Sequence, residues 1–247
     1  MQLKLYFYSM QSYGNEQYIA NLSIDCVIFG YEDSQLKVLL GKVKYGKNLY
    51  NLPGGHIRKT ESVDNAAARL LEERTQLKNI HLSQFKVFGD AKRIVNSQYK
   101  KLIHQELSKR YSKKDADWIL DRFICIGYYA LVEISKVKPI VGELDQSLEW
   151  IPVDEIPKMI HDHEEILKEA LIALRQHFDQ ELIAFNLLPK TFTMKELKSL
   201  YEAVYEKEFP MNNFQKKMLD LNVLERLEKQ FKVLKTKPLF YIDLRKR

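Results

Sequence analysis

The chemically suggestive segment is ESVDNAAARLLEERTQ, residues 61–76, which is rich in good helix formers and acidic near its start. Arg69 and Glu73 are spaced for ordinary i,i+4 helix support, and Glu61 with Arg69 for a loop–helix ion pair. His161, Asp162 and His163 place two imidazoles and a carboxylate at a loop-to-helix junction, without a third spaced ligand. Cys26 and Cys125 lie in apolar runs, IDCVIFG and FICIGYY, with no C-x-x-C, and read as buried, reduced core residues. These residues predict no metal site, no cofactor and no catalytic group.

Charge marks a second place where chemistry can occur. Residues 1–185 hold 25 Lys+Arg and 25 Asp+Glu, whereas residues 186–247 hold 14 and 8, so the net +6 sits in the last quarter. Such asymmetry fits a module with an anionic partner, nucleic acid being the usual one, and fits equally a well-solvated lysine-rich surface. Residues 91–122 form a further basic stretch, with 9 Lys+Arg against 4 Asp+Glu.

These residues need elements to position them. Strands are expected at 23–31, 36–43, 84–89, 123–134 and 148–153, with EDSQ as the turn between the first two. Pro53-Gly54-Gly55 reads as a break, a helix is expected over 61–76, and an amphipathic helix over 163–180 with Leu167, Ala170, Leu171, Leu174 and Phe178 on one face. Residues 91–122 carry Tyr99, Ile103, Leu107 and Tyr111 near helical spacing, which predicts at least one helix there. That segment is either a lid or specificity element over a ligand site, or a decorating insertion. Thr193 and Glu196 have capping-box spacing ahead of a helix bearing Leu197, Leu200, Tyr201, Val204 and Tyr205. A second helix is expected at 212–221 with Phe214, Met218 and Leu221 inward, then two strand-like pieces around a Lys-rich turn: the order of a winged helix-turn-helix.

The 247 residues are 45% hydrophobic and 29% charged, enough for a sizeable core and unlike a disordered chain. No run approaches the roughly 18 apolar residues of a membrane span. No signal-peptide pattern opens the chain, which predicts a cytoplasmic protein without membrane association. No internal repeat or low-complexity tract occurs.

The stretch from Gly55 to Leu77 resembles the Nudix box, G-x5-E-x7-R-E-U-x-E-E-x-G-U, with Gly55, Glu61, Arg69, Leu71, Glu73 and Leu77 matching in place. LPGG at 52–55 and EWIPV at 149–153 sit where that family has its entry loop and a late strand. In the hydrolases, positions 70, 73 and 74, which share one helix face as i, i+3 and i+4, are glutamates that hold Mg²⁺. Here they are Leu70, Glu73 and Arg74, so a potential −3 has become zero. Leucine offers no ligand oxygen and arginine repels a cation, so Glu73 alone is a poor magnesium site unless other loops add carboxylates. The glycine after the helix is Gln76. AFNLLPKTFTMKELKSLYEAVY at 184–205 and NFQKK at 213–217 resemble the Nudix-related transcriptional regulators, which join a Nudix-like effector domain to a winged helix.

The resemblance implies an α/β fold, a Nudix-type α/β/α sandwich (residues 1–184, with the 91–122 insertion) followed by a winged helix (185–247). It implies a bacterial-type regulator, generally a homodimeric repressor, whose binding to double-stranded operator DNA is controlled by a small-molecule effector, a sugar or an ADP-ribose-like compound. Asn213, Gln215, Lys216 and Lys217 would lie on the recognition helix, with Lys232, Lys235 and Lys237 in or near the wing. Arg58, Glu73, Arg74, Asp90, Arg93 and Arg122 would line the effector cleft. Loss of the metal chemistry is the expected consequence of Leu70 and Arg74. The alternative is an Mg²⁺-dependent hydrolase of nucleoside diphosphate derivatives, and a third reading makes the tail an RNA- or protein-binding module.

Overall fold

The computed structural model describes residues 17–93, 100–109, 111–178, 187–189, 191–227 and 239–242. Its organising element is β1 (Tyr18–Glu32), whose residues from Ile24 to Phe29 are almost wholly out of solvent. Such a strand, apolar on both faces, has to be covered on both sides.

β1 pairs antiparallel with β2 (Gln35–Val43) near its C-terminal end and with β4 (Gly54–Arg58) near its N-terminal end. Along its other edge it runs parallel to β6 (Ile124–Val132), which in turn carries β5 (Leu82–Phe88) antiparallel. β3 (Tyr50–Asn51) and β7 (Asp145–Pro152) pair with β2, giving a seven-stranded mixed sheet. On one face, Ile24, Cys26, Ile28 and Leu39 meet Ala66, Ala67, Leu70 and Leu71 of α1 (Val63–Thr75). On the other, Val27, Phe29, Val38 and Leu40 meet Ile166, Leu167, Ala170 and Leu174 of α4 (His163–His177). This is the expected α/β/α sandwich.

The insertion between β5 and β6 contributes α2 (Lys100–Leu107) and α3 (Lys113–Ile119). They have a small core of their own, in which Ile103, Leu107, Ala116 and Leu120 close on Val43, Tyr45, Leu49 and Ile160.

Beyond α4, β8 (Thr191–Thr193) leads into α5 (Met194–Tyr205), α6 (Met211–Asp220), β9 (Leu224–Arg226) and β10 (Leu239–Ile242). The three strands form a sheet in the order β8-β10-β9. Thr193 caps α5 through the full capping box with Glu196. Phe192, Leu197, Tyr201, Val204, Phe214 and Met218 continue the α4-side core without a break, so the winged helix is packed onto the sandwich. Arg175 of α4 donates from Nε to the Val204 carbonyl at 2.7 Å and pairs with Glu206 at 3.0 Å.

Two boundaries depart from expectation. The helix anticipated from Glu61 starts at Val63, because the Ser62 side chain accepts from the Asn65 N–H and caps it. The Pro-Gly-Gly break is in part a strand: Gly54 and Gly55 open β4 where neighbours come close. A Cβ on Gly54 would meet the Ile24 carbonyl at 2.5 Å, and one on Gly55 would meet Leu70 Cδ2 at 2.6 Å.

α1 ends on Gln76 in the left-handed region (φ 60°), its N–H bonded to the Glu72 carbonyl at 2.8 Å. A side chain there is strained, and glycine is the ordinary occupant. Gln76→Gly is expected to stabilise the protein by about 0.5–1 kcal/mol, read as a raised midpoint in urea unfolding. A lowered midpoint would show that the Gln76 side chain contributes more than its backbone strain costs.

Candidate functional site

The site is built where α1 meets β4. Arg69 grips Glu61 with two hydrogen bonds, Nη2 to Oε1 at 2.6 Å and Nε to Oε2 at 2.9 Å, and donates to the His56 carbonyl at 2.9 Å. Its Nη1 also reaches Glu73 at 3.2 Å. Glu61 Oε1 accepts the Arg58 N–H at 2.8 Å. Burial pushes the Glu61 carboxyl up, but the bonds from Arg69 and the Arg58 backbone, with both guanidinium charges, hold it below its ordinary value. Glu61 and Arg69 thus fasten the loop before α1 to the helix.

The three face-sharing positions of α1 go to different places. Leu70 is buried against Gly55 in the α1-side core. Glu73 lies between Arg69 and Arg58, whose Nη2 is 3.8 Å away. Arg74 turns to Asp145, at 3.8 Å, beside Gly142. Burial raises the Asp145 carboxyl, although Arg74 and Asn51 pull the other way. A hard cation needs several oxygens converging on one point. Here one position has none and another carries a fixed positive charge, while the single carboxylate already faces two guanidinium groups, so this donor set does not fit Mg²⁺. Among the described residues, no group of three or more His, Cys, Asp or Glu could hold a metal ion.

Deeper in, Arg93 is buried between two carboxylates. It donates from Nε to Asp162 at 2.5 Å, from Nη2 to Asp25 at 3.4 Å and from Nη1 to the Phe123 carbonyl at 3.1 Å. Asp25 also accepts the Cys125 thiol at 2.9 Å, and His163 Nδ1 accepts the Leu52 N–H at 2.9 Å. Burial pushes the Cys26 thiol up to about 12 and the Cys125 thiol well above its ordinary value, so both free cysteines stay protonated.

Over this floor lies an aromatic cluster. The His56 ring of β4 sits 4.7 Å from Trp118 of α3 and 5.0 Å from Phe123, while Tyr18 of β1 stacks on Trp118 at 6.2 Å. The insertion therefore covers this end of the sheet through Trp118. His56 Nδ1, Trp118 Nε1, His161 Nδ1 and Asp162 Oδ1 are shut from solvent with no hydrogen-bond partner among the described residues. Each such atom costs about 1–3 kcal/mol when left unpaired.

Of the expected effector residues, the structure brings Arg58 and Glu73 together at the mouth. Asp90, Arg93 and Arg122 gather at the base of the insertion, where Arg122 donates to the Gly89 and Asp90 carbonyls. Arg74 stands apart with Asp145. On α6, Asn213, Gln215, Lys216 and Lys217 are exposed while Phe214 and Met218 are buried, Leu221, expected inward, is exposed just past the helix end, and Lys217 Nζ lies 6.0 Å over the Tyr201 ring. Lys232, Lys235 and Lys237 lie outside the described residues. Neither His56 nor Asp25 was marked by any sequence pattern. Trp118 had one: it is a large apolar aromatic inside an otherwise lysine-rich segment.

Comparison with known proteins places this arrangement. The NUDIX domain family matches residues 21–171, and the NrtR DNA-binding winged helix domain matches residues 184–241. The chain belongs to the Nudix-related transcriptional regulators. A curated relative, the ADPR responsive transcriptional repressor NtrR of Acinetobacter baylyi, is 24% identical over 96% of this chain and 89% of its own. Shewanella oneidensis NrtR, solved alone and with a 27mer DNA, is 21% and 22% identical, covering 90% of this chain and 94% and 93% of its own, with a TM-score of 0.63 in both cases. A MutT/nudix family protein from Enterococcus faecalis is 18% identical over 91% of this chain and 86% of its own, with a TM-score of 0.66. The solved structures establish the fold of this Nudix-related regulator. Among its described residues no helix is long and apolar enough to cross a membrane.

The regulator's cleft histidines make its stability sensitive to acid. Burial lowers His56 and His161 to about 4, with His163 adding to the effect on His161, and burial lowers His163 as well. A proton therefore binds the unfolded chain more tightly than the folded one. The stabilisation is full above the ordinary histidine value of about 6.5 and is lost as pH falls toward 4. Each of His56 and His161 is expected to account for up to about 3 kcal/mol of that loss. Urea melts at pH 7.5, 6, 5 and 4.5 should show the decline, with a shallower slope for His56→Gln; a flat profile down to pH 4.5 would contradict these assignments.

Proposed function

We propose that this chain is a metabolite-responsive transcriptional repressor whose winged helix binds duplex operator DNA and whose Nudix cleft, no longer a hydrolase, senses an ADP-ribose-like effector. One observation carries the reading. A Nudix cleft whose box residues are engaged with one another, rather than converging on a cation, shares one continuous core with a winged helix that turns four polar side chains outward.

Asn213 and Gln215 suit base edges and Lys216 and Lys217 suit phosphates, with Lys232, Lys235 and Lys237 assigned to the wing. The division falls between 1–184 and 185–247. A homodimer would present two such helices to a twofold operator. The effector class rests on the Acinetobacter baylyi relative, described as ADPR responsive, and on guanidinium groups near the cleft, which suit phosphates and sugar hydroxyls. Among the expected effector residues, we assign the ligand contact to Arg58 and Glu73, which lie 3.8 Å apart. Arg93 and Arg74 serve to hold the walls, and Asp90 and Arg122 the root of the insertion.

The test is binding of the full-length protein to a duplex carrying its own upstream region, across a salt series. Affinity should fall steeply with salt, and Lys216→Ala with Lys217→Ala should reduce the log–log slope by about 2. ADP-ribose should weaken the complex without being consumed, with or without Mg²⁺. Failure to bind at low salt in the absence of effector would sink the repressor reading. Mg²⁺-dependent product release abolished by Glu73→Gln would restore the hydrolase.

A further inference from the structure

We propose that the insertion is a working wall of the ligand cleft: Trp118 clamps the planar base of a base-bearing nucleotide against His56 and Phe123. The inference rests on the effector reading above and assigns it a recognition element that lies outside the Nudix box.

The argument starts from what Trp118 does now. It is carried by α3, a seven-residue helix in a segment otherwise dominated by charge, yet its indole reaches across to β4 and the start of β6. Tyr18 and His56 meet edge-on at 5.7 Å, and Phe123 stands edge-on to the indole at 5.3 Å, so four rings from three strand regions and the insertion converge. Rings assembled only to exclude water would leave their polar atoms paired or solvated. Instead Trp118 Nε1 and His56 Nδ1 are both shut away with no partner among the described residues.

A ligand ring entering between the indole and the imidazole would keep every stacking surface covered. It would also supply what these two atoms lack: an acceptor for the indole N–H and a hydrogen-bonding edge for the imidazole. Nucleobases combine a π-face with donors and acceptors in one plane, which is the chemistry this slot fits. Arg58 and Arg69, next along β4 and α1, place positive charge beside it for the phosphate end of such a ligand.

The apolar core of the insertion is separate from the cores on the two sheet faces.

Tryptophan emission reads this directly, since Trp118 and Trp150 are the two tryptophans in the chain and Trp150→Phe leaves Trp118 as the reporter. Full-length protein in that background should change its emission on titration with ADP-ribose or AMP, and stay unchanged with ribose 5-phosphate. By calorimetry, Trp118→Ala should weaken ADP-ribose and AMP binding about tenfold or more, with ribose 5-phosphate binding unaffected; Trp118→Phe should keep most of the affinity. If Trp118→Ala binds nucleotides as well as or tighter than the parent, or saturation leaves the emission unaltered, the clamp is refuted while the effector reading stands. If no base-bearing nucleotide binds the parent protein at all, both fall together. Thermal melts of each variant identify one that fails to fold, and Trp118→Phe then decides the outcome through its emission-independent calorimetric affinity.

Discussion

The structure depends on a buried positive charge. Arg93 exposes only 4% of its side chain, and its guanidinium joins β1 through Asp25, the approach to β6 through the Phe123 carbonyl, and the start of α4 through Asp162. A buried guanidinium has to be paired, and removing one partner of such a cluster leaves an uncompensated charge whose cost is about 3–5 kcal/mol. The same cluster constrains its surroundings. Asp25 occupies the space a side chain at position 54 would need, so Gly54 is required for β4 to lie against β1. With His161 and His163 kept neutral by burial, neutralisation of the two aspartates falls to Arg93.

That cluster is also one end of a lever. α4 begins beside Asp162 and runs 15 residues, about 22 Å, to the point where Arg175 donates to the Val204 carbonyl and pairs with Glu206 of the winged helix. Phe178 packs edge-on against Tyr201 at 5.1 Å and against Tyr205 at 6.0 Å. The Arg93 cluster and the winged helix are therefore fixed to opposite ends of one helix, and a continuous apolar core lies along it. A ligand acts through such a connection only if it binds one arrangement of the two modules more tightly than another.

What the sequence made legible was whatever is local. The box spacing, the i,i+4 pair of Arg69 and Glu73, the capping box at Thr193 and the inward Phe214 and Met218 all rest on helical periodicity within a few residues. What escaped was set by distance along the chain. Arg93 meets partners 68 and 69 residues away, and Cys125 meets Asp25 across 100. Arg93 was expected at the effector cleft, and its hydrogen bonds run to Asp25, Asp162 and the Phe123 carbonyl. β4 was hidden for a different reason. Pro-Gly-Gly signals a break by local propensity, and only the close approach of Asp25 and Leu70 shows why glycine is placed within a strand. His56 gave no signal because an isolated histidine after two glycines has no periodic partner.

On the reading proposed above, the rearranged box follows from the opposite demands that hydrolysis and sensing place on one cleft. A hydrolase must bring cation, water and diphosphate together, which needs concentrated negative charge and access for solvent. A sensor must hold the same kind of ligand intact and let the protein, rather than a cation, contact its phosphates. Replacing two carboxylates by Leu70 and Arg74 removes the negative concentration, and Arg58 and Arg69 then meet Glu73 as its partners. The glutamate–arginine pair that survives, Glu61 with Arg69, is the part of the box that fastens loop to helix, and both functions need it. On the same reading, the insertion adds the complementary change by covering the cleft with Trp118, since water that a hydrolase must admit is water that a sensor gains by excluding.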